Sequence, residues 1–477
     1  MKIKENWSLP DLKEAGRRTR SAIERVDQYL IPAHAMHLGE GKTYHISTYG
    51  CQANERDSET MAGILETIGF KPSEDLEHVD VILINTCAIR QNAEEKVLGE
   101  IGNFKRLYKE NKDLIIGVCG CMAQENSFVK LLLEKYPQVR LLFGTHNIQD
   151  LPQLLYEAMN EHTKVVKIYS KEGEVYENLP VKRFGQHKAW VNIMYGCDKF
   201  CTYCIVPYTR GKQRSRTMEQ ILKEVQELKN EGYKEITLLG QNVNAYGKDM
   251  ENGVDFANLL EEVAKIGIPR IRFMTSHPWD FTDQMIDVIA QYENIMPFIH
   301  LPMQSGDDEI LKRMGRRYTS ESYYELYQKL KAKVPNAAIS TDIIVGFPNE
   351  SDEAFQNTLD LVEKCKFDNA FTFVYSPRPG TPAAKMEDTI DAETKKQRLY
   401  TLNEKWGQYA RQINTSYEGK VVRVLVDGMS KRNENVYSGY SETNKLVNFT
   451  GENIHPGDFV DVLIEEAKTF SLDGKAI

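Results

Sequence analysis

From Thr43 onward, apolar residues alternate between two kinds of run. Short unbroken stretches such as 81–84 suit buried strands, and longer stretches with an apolar residue every three or four positions suit helices. Residues 44–48 predict a strand. Residues 54–68 predict a helix whose face carries Met61, Ile64, Leu65 and Ile68 and which stops at Gly69. Strands at 81–84, 114–118 and 141–143 follow, with helices at about 93–108 and up to about 135. Alternating strands and helices predict a doubly wound parallel sheet over 41–160. The pattern lapses over 161–187, which predicts a linker. It resumes at 190–194, with further strands at 235–239, 270–274, 298–301, 339–345 and 369–374. These six βα units over 188–414 predict a partial (β/α)6 barrel. Its first long helix begins with capping-box spacing, Thr217 and Gln220, ahead of Ile221, Leu222, Val225 and Leu228. Over 415–477 the pattern changes to short β-branched runs at 420–426, 446–449 and 459–464, joined by Gly, Asn and Asp. They predict a small antiparallel, OB-like β-barrel. Residues 1–40 are polar and predict a peripheral helix or tail.

The length of 477 residues suits two or three such domains. No apolar run reaches the length of a membrane span, and the N-terminus has no apolar secretory segment, so a cytoplasmic protein is expected. The net charge of −9 argues against loose, charge-driven binding of a polyanion, so any nucleic acid needs local basic loops. Eight cysteines are too few for a disulfide scaffold. In a reducing compartment, clustered cysteines bind metal or do redox chemistry.

Cys197, Cys201 and Cys204 form a C-x3-C-x2-C loop after the first barrel strand, where such folds place their active sites. Three thiolates hold three irons of a 4Fe-4S cube and leave the fourth open to chelate S-adenosylmethionine, whose reductive cleavage yields a 5′-deoxyadenosyl radical. The competing assignment is structural zinc, which wants four ligands; the nearest fourth candidate is His187. Cys51, Cys87 and Cys121 each follow a different strand of the N-terminal sheet, and ligand sites in open α/β sheets gather beyond strand C-termini. Cys119 lies two residues before Cys121, on the same face if the strand continues. Cys365 suits plain packing in a helix.

The words MYGCDKFCTYCIVPYTRG and LLGQNVNAYG resemble the methylthiotransferase branch of the radical S-adenosylmethionine superfamily, and TYGCQAN, INTCAIR and GCMAQ resemble its N-terminal cysteine motifs. The resemblance runs from Thr43 to about Gly474. It implies two 4Fe-4S clusters, one on Cys197, Cys201 and Cys204 and one on Cys51, Cys87 and Cys121, with Cys119 a structural thiol. Two S-adenosylmethionines per turnover are implied, one methylating the sulfur carried by the second cluster and one forming the radical. Tyr203 is expected beside the adenine of the cofactor, and Gln241 and Asn242 near its methionine end; loop packing and an ordinary turn are the plain alternatives.

The C-terminal domain resembles a TRAM domain, and GYSETNKLVNFTG resembles the branch that acts on transfer RNA. The implied reaction is methylthiolation of carbon 2 of N6-isopentenyladenosine beside the anticodon. Reduction is expected from a flavodoxin or ferredoxin, and the chain is expected to be a monomer without a membrane. Over 415–477 there are seven Lys plus Arg against ten Asp plus Glu, so RNA recognition there needs stacking and shape. Candidate contacts are Arg432, Tyr440, Lys445 and Phe449, with strand packing the alternative. Arg210, Lys212, Arg214 and Arg216, directly after the cysteine loop, are expected to meet phosphate, and Lys312, Arg313, Arg316 and Arg317 form a second basic group. Two rivals remain: a sister methylthiotransferase acting on threonylcarbamoyladenosine or a ribosomal-protein aspartate, and a metal-stabilised RNA-binding protein without catalysis.

Overall fold

The computed structural model describes residues 3–7, 23–88, 91–161, 164–168, 174–431 and 433–477. The first strands along the chain are β1 (Ile3–Trp7), β2 (Glu24–Val26), β3 (Thr43–Thr48), β4 (Lys71–Pro72), β5 (Val81–Thr86), β6 (Ile115–Gly120), β7 (Val139–Phe143), β8 (Lys164–Ile168) and β9 (Glu174–Tyr176). Seven of them form one parallel sheet in the order β1-β8-β7-β6-β5-β3-β4, while β2 pairs with β9. Every residue of β5 and β6 is buried, because helices cover both faces of the sheet. One face packs Ile82, Ile84, Ile116 and Val118. The other packs Val81, Leu83 and Ile115 against Met61, Ile64 and Leu65 of the helix Gln52–Thr67.

Two expectations are corrected here. Residues 164–168, expected in a linker, are a sheet strand with Val165, Val166 and Ile168 buried. Their three apolar positions between lysines make too short a run to read as a strand. Residues 3–7, expected in a peripheral helix or tail, pair with β8 as an edge strand.

The barrel strands are β10 (Lys188–Asn192), β11 (Met194–Tyr195), β12 (Arg214–Ser215), β13 (Glu235–Leu239), β14 (Arg270–Phe273), β15 (Phe298–His300), β16 (Ala338–Val345) and β17 (Asn369–Val374). Six are parallel, in two arcs, β10-β13-β14 and β15-β16-β17, linked by a parallel bridge between Ile271 and Ile295. Among the described residues no ladder joins β10 to β17, so the barrel is open on that side. Helices wrap its outside over a large core containing Val191, Ile236, Leu238, Ile271 and Ile339. The antiparallel pair β11–β12 closes the base of the cysteine loop. The helix Met218–Asn230 begins after Thr217 as expected, but without a capping box: the Thr217 side chain makes no cap bond, and its N–H donates to Glu177 Oε1 at 2.9 Å.

The last five strands, β18 (Val421–Ser430), β19 (Asn433–Ser441), β20 (Leu446–Thr450), β21 (Phe459–Ala467) and β22 (Leu472–Ala476), form a closed barrel. It docks on the N-terminal ends of the large barrel's strands. Arg270 donates to the Tyr440 and Arg423 carbonyls at 2.8 Å, and Arg272 donates to the Ser441 and Glu442 carbonyls at 2.8 and 3.0 Å. Lys188 Nζ lies 2.5 Å from Asp427. Two of the RNA contacts expected in this domain, Phe449 and Lys445, are therefore corrected. Phe449 is core, Tyr440 carries Lys188 over its ring, and Lys445 is buried against Asp368 at 3.4 Å. Arg432 lies outside the described residues. His187 lies 3.4 Å from Asp427 at this same end, so it is no partner for the cysteine loop.

The N-terminal sheet meets the large barrel through Glu224. Its carboxylate contacts Arg216 at 2.6 Å, Arg56 at 3.3 Å and Arg183. Burial works to raise the Glu224 pKa, but Arg216, Arg56 and Arg183 together hold it at about 2. A depressed carboxyl pKa stabilises the fold above the unfolded value, and that stability is lost as the pH falls from about 4.5 to about 2. Glu224→Gln takes the shared anion from three buried guanidiniums, of which Arg216 keeps Glu177 and Arg183 keeps Glu59, and is expected to lower unfolding stability by about 3 kcal/mol at pH 7. Urea titration checks this, and the difference from wild type is expected to shrink across the same acid window.

Candidate active site

The two cysteine sets meet where the sheet and barrel adjoin. Cys51, Cys87 and Cys121 follow β3, β5 and β6, three neighbouring strands. Gly50, at φ +127, lets the first loop pass the second: a Cβ there would lie 2.4 Å from the Cys87 Cβ. Gly120, at φ +89, breaks the alternation of β6 and turns Cys121 into the loop. Cys119 and Cys121 therefore face opposite sides of the sheet. Cys119 packs with Met61 and Leu65, and Cys121 packs with Met122 and Ala88. Equal faces were expected only if the strand continued, and it ends at Gly120. Cys365 is buried at the end of its helix, as expected for packing.

A buried polar network supports these loops. Asn54 Nδ2 donates to the Thr86 carbonyl at 2.7 Å, and Asn85 Nδ2 donates to the Asn54 carbonyl at 2.8 Å and to Ser58 Oγ at 3.0 Å. Into this network the barrel inserts Arg210, which donates to Asp57 Oδ2 at 2.6 Å and to Asn54 Oδ1 at 3.1 Å. The Cys51 thiol is held down to about 5, first by its hydrogen bond with Cys87 and further by Arg210. Cys121 is pushed up by burial, against the pull of Arg210. A cation beside clustered thiols fits a site that carries thiolates.

The C-x3-C-x2-C loop lies on the other side of Arg210. The Cys197 N–H donates to the Gly211 carbonyl at 3.1 Å, and the Gly196 N–H donates to Gln241 Oε1 at 2.5 Å. Thr202 is tied to the Met314 and Arg313 carbonyls at 2.9 and 2.8 Å. Burial pushes the Cys197 and Cys204 thiols up, and Arg316 donates to Cys201 Sγ at 3.4 Å. Phe200, Ile205 and Tyr208 of this loop pack into the same apolar cluster as Cys121 and Met122. The two sites thus share a core. Among the described residues no three His, Cys, Asp or Glu are gathered tightly enough to hold a single metal ion. Thiolates around a cube lie further apart than those around one zinc, whose Zn–S bonds are about 2.3 Å.

The remaining expected residues divide. Gln241 braces the cluster loop through Gly196. Asn242 is buried, donates to Asp280 at 2.7 Å and leaves its Oδ1 without a partner, an acceptor suited to the amino group of a bound methionine moiety. The Tyr203 side chain packs beside Met314, Phe347 and Tyr375. The basic run does not face solvent: Arg210, Lys212, Arg214 and Arg216 are each at most 6% exposed. Arg216 is spent on Glu177 at 3.0 Å and on Glu224, and Arg214 on His146 at 3.2 Å. Their expected phosphate contact is corrected, because all four are buried and carboxylates from distant segments neutralise Arg210 and Arg216. Asp280, Asp57 and Asn54 carry no motif of their own, and their roles come from contacts across 38 to 156 residues. If Cys121 and not Cys119 is the third ligand, Cys121→Ala lowers iron in reconstituted protein from about eight to about four atoms per chain. Cys119→Ala leaves it at about eight, as read by iron and sulfide assay.

Three family models match: the Radical SAM superfamily over residues 191–362, Uncharacterized protein family UPF0004 over 43–144, and the TRAM domain over 415–477. The chain is 56% identical over 473 residues to a tRNA-2-methylthio-N(6)-dimethylallyladenosine synthase of Staphylococcus epidermidis, covering 99% of this chain and 92% of that one. It is 54% identical to the protein of that name from Staphylococcus aureus strain MRSA252, with the same coverage. In fold it is similar to a radical S-adenosylmethionine methyltransferase from Kitasatospora setae, with TM-score 0.53, 14% identity and coverage of 72% and 75% of the two chains. The chain therefore belongs to the family of tRNA-2-methylthio-N(6)-dimethylallyladenosine synthases, within the radical S-adenosylmethionine superfamily.

Proposed function

We propose that the chain methylthiolates carbon 2 of N6-isopentenyladenosine beside the anticodon of transfer RNA. The observation that carries this reading is the shared core of the two cysteine sites, since adding CH3–S to an unactivated C–H needs a radical source and a sulfur source facing one substrate. Cys197, Cys201 and Cys204 would hold the first 4Fe-4S cluster, and Cys51, Cys87 and Cys121 the second. When bound, the clusters and two S-adenosylmethionines supply the electron, the radical, the methyl group and the sulfur.

The chain's own groups place these parts. Arg316 directs a donor at the Cys201 sulfur and Arg210 sits beside Cys51 and Cys121, so each set has a buried cation to offset thiolate charge. Asn242 is held by Asp280, which is fixed in turn by Lys199 at 2.8 Å and Lys248 at 2.5 Å. On β17, Ala370 and Val374 pack toward the outer helices and Thr372 bonds Asn403, so Phe371 and Phe373 take the inner face. Each is 45% exposed, and Phe371 meets the His300 ring at 6.0 Å. This apolar wall suits a prenyl substituent, whereas a threonylcarbamoyl group would bring a carboxylate to it.

Among the described residues no helix is long and apolar enough to cross a membrane. The proposed working form is a cytoplasmic monomer that takes electrons from a flavodoxin or ferredoxin.

The test is anaerobic turnover with reductant, S-adenosylmethionine and transfer RNA that carries isopentenyladenosine but no methylthio group, followed by nucleoside mass analysis. A methylthio-isopentenyl nucleoside, absent with Cys197→Ala, is expected. If 5′-deoxyadenosine forms while the RNA mass is unchanged, the substrate assignment fails and threonylcarbamoyl-transfer RNA and ribosomal protein become the next substrates.

A further inference from the structure

With the basic run buried, and Lys445 and Phe449 of the small barrel buried too, an exposed surface at the cysteine-loop end is a further candidate for RNA contact. Trp279 lies in a short turn, Pro278–Asp280, beyond the C-terminal end of β14, on the side of the barrel that carries the cysteine loop. It is 43% exposed although most large apolar side chains of the barrel are buried. Two cations lie over the ring, Lys199 Nζ and the Arg317 guanidinium, each 4.7 Å from its centroid, so an incoming base would take the place of one of them. Lys199 belongs to the C-x3-C-x2-C loop itself. The next residue, Asp280, is buried and binds Lys199, Lys248 and Asn242, so the turn is anchored to the active-site floor. Arg317 is exposed, unlike its neighbour Arg316, and Lys248 is 56% exposed at its side chain.

An exposed indole that already accepts a guanidinium over its ring matches what a single-stranded nucleic acid offers: a flat base to stack and a phosphate for the displaced cation. We propose that Trp279 is the stacking platform for an unpaired base of the anticodon loop, with the exposed Arg317 meeting an adjoining phosphate. The assignment rests on the RNA-modifying function above and names the surface that performs the recognition. It also accounts for RNA binding by an acidic chain, since stacking and a local cation replace a broadly basic face.

The test is binding of a fluorescein-labelled anticodon-arm hairpin to reconstituted protein by anisotropy, over a salt series. Trp279→Ala is expected to weaken binding by about 5- to 100-fold, and Trp279→Phe, which keeps a ring, by no more than about 3-fold. Arg317→Ala is expected to lower the salt-dependence slope by about 1. Iron content reports whether the variants stay folded. Trp279→Ala binding as tightly as wild type, with full iron, would overturn the platform and leave the substrate reading intact if wild type still modifies transfer RNA. Trp279→Phe as weak as Trp279→Ala also overturns it. Wild type failing to bind the hairpin at all would overturn the substrate reading and the platform together.

Discussion

Much of this structure depends on one buried ion pair, between Arg210 of the barrel and Asp57 of the N-terminal sheet domain, 2.6 Å apart. The arginine follows the C-x3-C-x2-C loop in sequence but ends beside Cys51 and Cys121. Removing one partner from such a buried pair costs about 3–5 kcal/mol, because the other charge is left without water or counter-ion. The pair therefore sets the register between two domains whose cysteines must serve one substrate. Glu224 and its three arginines repeat the device further along the same interface.

The electrostatics of the interface and its chemistry are coupled. Burial disfavours the thiolate form, as at Cys197 and at Cys204, where it outweighs the pull of Arg316. Guanidiniums cannot be deprotonated at neutral pH, so Arg210 and Arg316 keep a permanent positive charge in a dry site. Hydrogen bonds and charges around sulfur ligands are among the means by which a protein tunes an iron–sulfur cluster. The apolar packing of Phe200, Ile205 and Tyr208 against Cys121 and Met122 keeps water from the same seam.

The C-terminal barrel is tied to the opposite end of the large barrel by buried cations. Arg270 and Arg272 reach backbone carbonyls of the small barrel, and Lys445 reaches back to Asp368. Such bonds orient the module as a rigid extension. The cysteine-loop end, in contrast, leaves Trp279 and Arg317 exposed.

Much of the fold and of the chemistry was legible in the sequence, for a physical reason. Strand and helix periodicities are local properties, so the parallel sheet, the partial barrel and the presence of a small β-barrel could be read from the pattern, although β19 and β22 were not among the expected strands and β20 pairs with β22 in parallel. The cysteine triplet is likewise local, and the dispersed Cys51, Cys87 and Cys121 stood out because each ends a strand. What the sequence could not determine was which charges face water. Arg210, Arg214 and Arg216 look like a phosphate-binding run until Asp57, His146, Glu177 and Glu224 arrive from distant segments. Cys119 and Cys121 look equivalent until the positive φ of Gly120 separates their faces. Strand 164–168 was missed because its partners lie far along the chain and its own apolar run is short. The chain by itself determined its elements and its chemistry-bearing residues. Tertiary structure decided which cations are neutralised and which are offered, because the free energy of a charge depends on its three-dimensional neighbours and not on its place in the chain.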